Sequence, residues 1–268
     1  LEGFDTSTFT HADKERTVFR RGSGPAVIVI TEVPGMTPAV ADFGRRVADA
    51  GFTAVLPSLF GEPGRPMTNG YAASTIAWAC VSKEFATWAT NRTSPATAWC
   101  QALARHEHER CGGAGVGVVG MCLTGGFALA MMVDPVVAAP VLSQPSLPFA
   151  LSGAHKRDLN LSPSDLDAVK QRCAADPDLC VLGLRFTGDK LSPPERFARL
   201  RDELGDAFVG VEIDSSALDA GEQEQVVDQR AQRLDVAQHR QDVPVGVGRD
   251  AVCECLDRDP QRGERRPQ

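Results

Sequence analysis

The stretch GVGVVGMCLTGG, residues 115–126, decides the fold of this chain. A short β-branched run ends at Gly120, a cysteine follows two residues later, and two further glycines lead into the apolar run FALAMM at residues 127–132. This order predicts a strand, a sharp turn and a helix, with Cys122 at the apex of the turn. A helix N-terminus behind a cysteine favours the reactive thiolate. We therefore interpret Cys122 as a nucleophile; the alternative is a buried structural cysteine in a tight turn.

Alternating strand and helix patterns flank this turn. The apolar run AVIVI at residues 26–30 predicts a strand that is buried on both faces. Residues 38–51 repeat their apolar side chains with a helical period, and Gly51 ends the pattern. Further strand-like runs lie at residues 53–56, 136–142, 180–186 and 208–213. This alternation predicts an α/β fold: a doubly wound, mostly parallel sheet with helices on both faces.

Bulk composition narrows the class of protein. The chain has 268 residues, of which 43% are hydrophobic, and its net charge is −7. The negative charge argues against a nucleic-acid partner. No apolar run reaches the roughly 20 residues that span a bilayer, and no basic segment followed by an apolar one opens the chain. We expect a cytoplasmic protein without a membrane partner, in which the eight cysteines are free thiols; a small loop closed by Cys173 and Cys180 is the alternative.

Four segments give the chain a resemblance to the dienelactone hydrolase family, a branch of the α/β-hydrolases with Cys in place of Ser at the nucleophile elbow. They are TEVPGMTP at residues 31–38, AVLPSLFG at 54–61, GMCLTGG at 120–126 and FTGDK at 186–190. The resemblance implies an α/β-hydrolase fold and a carboxylic-ester hydrolase that acts on small esters or enol lactones. It implies no metal and no organic cofactor. We expect a small-molecule substrate and a monomer or weak homo-oligomer.

The resemblance also assigns roles to five residues. Cys122 is the catalytic nucleophile, and the backbone N–H groups of Leu123 and Val33 hold the oxyanion. Asp189 matches the acid that orients a catalytic histidine, with a turn-forming aspartate before Pro193 as the alternative. Glu32 is expected to control the protonation of the thiol; the alternative is a carboxylate that fixes its own loop.

One arginine is a further candidate. Arg92 lies in the segment before the elbow strand. It either binds an anionic group of the substrate or is a solvated surface residue.

The resemblance stops after about residue 216, which divides the chain into three parts. We expect a loose N-terminal arm at 1–14, an α/β-hydrolase domain at 15–216, and an atypical polar tail at 217–268 that is partly helical or disordered. The tail has no aromatic residue, no Ile and no Lys, and it holds eight of the eleven glutamines. We interpret it either as the product of a frame change in the coding sequence or as a genuine lineage-specific tail.

This boundary removes the expected catalytic base. The family places its histidine shortly after the strand that ends here near residue 213, where this chain has none. His239 and His155 are the remaining candidates. Two alternatives to the hydrolase therefore stay open: an α/β-hydrolase scaffold impaired by the loss of its histidine, and a thiol-redox or ligand-binding protein that uses Cys122 without hydrolysis.

Overall fold

The computed structural model describes residues 1–82, 84, 85, 90–147 and 152–215, which form a sheet flanked by helices. The strands are β1 (Asp5–His11), β2 (Lys14–Gly22), β3 (Ala26–Ile30), β4 (Thr53–Pro57), β5 (Val116–Met121), β6 (Val137–Ser143), β7 (Val181–Phe186) and β8 (Phe208–Ile213). The helices are α1 (Pro38–Asp49), α2 (Asn69–Val81), α3 (Ala96–Cys111), α4 (Gly125–Met131), α5 (Gly153–Arg157), α6 (Pro163–Ala175) and α7 (Pro194–Leu204).

The eight strands lie in the order β1-β2-β4-β3-β5-β6-β7-β8. Strands β3 to β8 are parallel, whereas β1 and β2 join the sheet antiparallel. This confirms the predicted mostly parallel α/β sheet. Because β3, β5, β6 and β7 are neighbours, the segments that follow their carboxyl ends meet at one edge of the sheet.

Helices cover both faces of the sheet, as the sequence predicts. Ile28 and Ile30 of β3 belong to a core cluster with apolar residues of α3, α4, α6 and α7. Val27 and Val29, which point the other way along the same strand, belong to a second cluster with residues of α1. The continuous burial of β3 follows from this two-sided packing.

The sequence predicts a loose N-terminal arm at residues 1–14. This prediction is wrong for residues 5–11, which form β1. This strand pairs with β2 from Asp5 opposite Arg20 to His11 opposite Lys14. Phe9 of β1 packs edge-on against Trp99 of α3, with ring centroids 5.3 Å apart. The other residues of β1 are mostly exposed. An edge hairpin of this kind contains no apolar run, so it cannot be predicted from hydrophobic periodicity.

The predicted tail, residues 217–268, lies outside the described residues, as do Ser216 and His239. Cys173 and Cys180 are both free thiols, so the alternative of a disulfide between them is not realised. Among the helices described, none is long and apolar enough to cross a membrane.

Candidate active site

Cys122 occupies the turn between β5 and α4, where its φ angle is 55°. Close packing on both sides explains the glycines around it. A β-carbon on Gly120 would lie 2.2 Å from the carbonyl oxygen of Thr124, and one on Gly126 would lie 2.4 Å from Cβ of Asn160. The strand, sharp turn and helix predicted from the sequence are therefore present, with the cysteine at a strained apex.

Thr124 fixes this turn to the neighbouring strand. Its side chain is fully buried. The hydroxyl oxygen accepts a hydrogen bond from the Met121 amide at 2.8 Å and lies 2.8 Å from the carbonyl oxygen of Ile30, to which it donates. Sequence reasoning missed this residue, because one threonine among apolar residues and glycines forms no pattern. Its contacts tie the elbow to the end of β3, directly before Glu32 and Val33.

The Cys122 thiol has a hydroxyl partner. Its sulfur lies 2.8 Å from Oγ of Ser146, a buried residue in the segment after β6. The Ser146 amide also donates to the carbonyl oxygen of Cys122 at 2.9 Å. These contacts hold the elbow against the neighbouring strand end. Ser146 is a second site residue without a recognisable signal in the sequence, since a lone serine in a loop is common.

The pKa of the Cys122 thiol is raised from its ordinary value of 9.0 to about 11. Burial is the largest cause, the negative charge of Glu32 contributes less, and that of Asp189 contributes least. Hydrogen bonds from Ser146 and from the Leu123 amide act in the opposite direction. The sequence predicts a thiolate, but burial outweighs the effect of the helix N-terminus. At neutral pH the resting thiol is therefore protonated.

The two predicted oxyanion residues lie on neighbouring strand ends. The Leu123 amide already contacts the Cys122 sulfur. Val33 follows β3, the parallel neighbour of β5, and is half-buried. Glu32 directly precedes it, is also half-buried, and takes part in interactions of its own. The structure thus brings Glu32 and Val33 to the same sheet edge as the elbow.

Asp189 lies in the loop after β7 and shapes that loop. Its Oδ1 atom accepts hydrogen bonds from the amides of Leu191 at 2.8 Å and Ser192 at 3.3 Å. Buried Arg185 supports the loop from below, donating from Nε to the Ser192 carbonyl at 2.9 Å and from its other end to the Thr187 carbonyl at 3.4 Å. The turn-forming role considered from the sequence is therefore present, together with a charge that acts on Cys122.

No histidine in the described ranges hydrogen-bonds to Cys122. His155 lies on the short helix α5, and its Nδ1 atom is 2.8 Å from Oγ of Ser152. His11 ends β1, an edge strand that β2, β4 and β3 separate from β5, and histidines 106 and 108 lie in the second half of α3. Within the same ranges, no group of three or more His, Cys, Asp or Glu side chains is arranged to hold a metal ion.

Arg196 is a buried cation in the neighbourhood of Cys122 and Asp189, and it was not among the residues predicted from the sequence. Burial lowers its pKa to about 10, while the nearby carboxylates of Asp158 and Asp189 oppose this shift. Its guanidinium donates to the carbonyl oxygens of Asp158 at 2.7 Å, Pro145 at 2.6 Å and His155 at 3.0 Å. It therefore fixes the main chain around the site. Arg92, the predicted candidate, is exposed.

Comparison with solved structures shows the same fold. A proposed dienelactone hydrolase from Klebsiella pneumoniae superposes with a TM-score of 0.60 at 18% identity. The match covers 88% of this chain and 98% of that chain. A dienelactone hydrolase from Anabaena variabilis has a TM-score of 0.58 at 14% identity, with 85% and 94% covered. A dienelactone hydrolase-like promiscuous phosphotriesterase from metagenomic libraries has a TM-score of 0.53 at 17% identity, with 79% and 81% covered.

Sequence comparison identifies the family. No curated protein matches the chain. The model of the dienelactone hydrolase family matches residues 15–156, more than half of the chain, which includes β2 to β6 and the elbow. The chain therefore belongs to the dienelactone hydrolase family, a family of hydrolases with the α/β-hydrolase fold.

Proposed function

We propose that this protein hydrolyses small esters or enol lactones through a thioester on Cys122. The observation that carries the proposal is the position of Cys122, at a φ of 55° on a strand-to-helix turn with the Leu123 amide against its sulfur. An apex of this kind exposes a nucleophile and supplies one donor for the oxyanion. Membership of a hydrolase family supports this chemistry.

Acylation begins with a proton transfer, because the resting thiol is protonated. In the proposed mechanism Glu32 accepts that proton, and the sulfur then attacks the carbonyl carbon of the ester. A carbon–sulfur bond forms while the carbonyl π electrons move to oxygen. The amides of Leu123 and Val33 stabilise the resulting oxyanion.

Collapse of this intermediate breaks the carbon–oxygen bond and leaves a thioester. The departing alcohol or enol takes the proton that Glu32 received. Water then attacks the thioester carbonyl and the thiol is restored, so that one water is consumed in each cycle. Deacylation needs a base, for which His239 and His155 are the candidates, with Asp189 as the acid that orients it.

A catalytically impaired scaffold is the second candidate. The observation in its favour is the hydrogen-bond partner of the thiol, which is the Ser146 hydroxyl, combined with a thiol pKa raised to about 11. The same pKa argues against a thiol-redox role, since redox-active cysteines have a lowered pKa.

Hydrolysis of 4-nitrophenyl acetate and of an enol lactone, α-angelica lactone, tests the proposal. We expect Cys122→Ala to lower kcat/KM by about a thousandfold, and peptide mass spectrometry of the native enzyme to find the acetyl group on Cys122. Cys173→Ala, which removes another free thiol, should leave the rate unchanged. Full activity in the Cys122→Ala variant would overturn the proposal, and inactivity of the folded native chain would favour the impaired scaffold.

A further inference from the structure

A groove of about 400 Å³ lies between the segment after β4 and helix α2. We call it the α2 groove. Residues 58–61 form one side, and Ser74, Thr75 and Trp78 of α2 form the other. Nothing in the proposed chemistry uses this space, although it opens at the carboxyl end of β4, the strand beside β3.

The α2 groove adjoins the loop that carries the proposed oxyanion donor. A β-carbon on Gly35 would lie 2.4 Å from the carbonyl oxygen of Phe60, and one on Gly61 would lie 2.3 Å from the carbonyl oxygen of Pro34. The amide of Gly64 donates to the Met36 carbonyl at 2.7 Å. One wall of the groove is therefore packed against the segment that follows Val33.

Aromatic rings form a continuous support from the groove to the elbow helix. Trp78 is 49% exposed on the groove side, and its ring centroid lies 5.6 Å from that of Phe85. Phe85 is fully buried, 4.6 Å from Phe60 and 6.3 Å from Phe127 of α4, on which it stacks. This packing keeps an exposed indole face at a fixed position, which suits an apolar ligand.

Among the residues that the structure describes, the groove offers an anion no charged partner. None of its seven lining residues is charged. The hydroxyls of Ser74 and Thr75 donate to the Tyr71 carbonyl, at 2.8 and 3.0 Å, so their protons are already used. Arg65, which lies over the Tyr71 ring, is paired with Glu62 at 3.3 Å.

The surroundings of the thiol disfavour an anion as well. Glu32 and Asp189 both act on Cys122 as negative charges. The guanidinium of Arg196 is bonded to three main-chain carbonyls. A substrate carboxylate would thus lose its hydration and meet two like charges without a free cationic partner among these groups.

We infer that the α2 groove binds the hydrocarbon arm of an uncharged ester, and that the enzyme discriminates against esters that carry a carboxylate. This inference rests on the proposed ester hydrolysis and names its substrate class. The indole face of Trp78 provides the apolar contact, and the uncharged lining formed by the described residues provides the discrimination.

Two esters of similar length test the discrimination: 4-nitrophenyl butyrate and mono-4-nitrophenyl succinate, which ends in a carboxylate. We expect kcat/KM to favour the butyrate by about tenfold or more. Ser74→Lys, which adds a cation to the groove, should reduce that preference about tenfold. Val81→Lys adds the same charge to the same helix at an exposed position outside the lining, and is the matched control. Equal rates on both esters, or equal effects of the two lysines, would overturn the inference.

A binding measurement separates this inference from the proposed chemistry. In the full-length Cys122→Ala variant, calorimetry should show that the neutral ketone 2-octanone binds about tenfold more tightly than 7-oxooctanoate. Adding Trp78→Ala should remove most of the ketone binding. If the native enzyme hydrolyses neither ester but this preference holds, the proposed hydrolysis fails and the ligand class stands. Equal binding of both ketones, or binding unchanged by Trp78→Ala, contradicts the groove assignment.

Discussion

The nucleophile elbow and the loop that carries Asp189 are built in different ways. The elbow, residues 120–126, is mostly buried, and its shape follows from glycines packed against neighbouring backbone. The Asp189 loop, residues 187–191, is mostly exposed and is held by hydrogen bonds to Arg185 and Ser215. Packing therefore fixes Cys122, whereas a few polar contacts from Arg185 and Ser215 fix the loop of Asp189. Loss of one contact should disturb Asp189 much more than Cys122.

The largest effect is expected from Gly120→Ala in the elbow. The added β-carbon would lie 2.2 Å from a backbone oxygen, which cannot move without distorting the turn, so we expect a loss of about 3 kcal/mol in the free energy of unfolding. Gly153→Ala, where a β-carbon meets nothing within 4 Å, is the control and should have little effect. Chemical denaturation measures both. Similar stabilities of the two variants would show that the elbow is not fixed by packing.

Arg185→Lys tests the Asp189 loop, with a smaller expected effect. Lysine keeps the charge but loses the two-ended contact with the carbonyls of Ser192 and Thr187, so the loop should open more easily by about 2 kcal/mol. Hydrogen exchange at the Leu191 and Ser192 amides reports this opening.

Arg201→Lys serves as the control for that experiment. Arg201 and Arg185 both pair with Glu212, Arg201 at 3.0 Å, but the hydrogen bond of Arg201 to Glu212 does not reach the Asp189 loop. Exchange of the Met121 amide, which bonds to Thr124 in the elbow, should stay slow in both variants. Faster exchange there in Arg185→Lys would mean that the two regions are coupled.

The smallest effects concern the reactivity of the thiol. Glu32→Gln removes the charge that raises the pKa of Cys122, so alkylation by iodoacetamide at pH 8 should become on the order of threefold faster. Ser146→Ala removes a hydrogen bond that lowers this pKa, so alkylation should slow. Asp189→Asn should accelerate it less than Glu32→Gln, since Asp189 contributes less. Mass spectrometry of the Cys122 peptide measures each rate. A larger effect of Asp189→Asn than of Glu32→Gln would contradict the stronger influence of Glu32 on the thiol.

The difference between the two regions also explains what the sequence could predict. The elbow was recognisable because its requirements are local: a β-branched run, small residues around position 122, and a helix-forming run within a few positions. Continuous burial likewise made β3 recognisable over its full length. Both cases depend on patterns with a fixed period or spacing.

The remaining site residues depend on contacts between distant parts of the chain. Ser146 reaches Cys122 across 24 positions of the chain. Arg185 lies only two and seven positions from its partners, but it acts through carbonyl groups that any residue type would supply. The edge hairpin of β1 and β2 escaped prediction because exposed threonines carry no amphipathic signal. The roles of Cys122, Asp189, Glu32, Leu123 and Val33 stay predictions until the variants are measured.

The Thr124 hydroxyl has a consequence for the evolution of this enzyme. It links the end of β5 to that of β3, so one buried side chain reinforces the sheet pairing that sets the spacing between Cys122 and the proposed oxyanion donor. A valine there would keep the volume but leave an amide and a carbonyl unsatisfied in a dry interior. Substitution of Thr124 is therefore an unfavourable way to make room for bulkier substrates. We expect adaptation to such substrates to proceed through substitutions on α2, where helix residues can change without moving the reacting atoms.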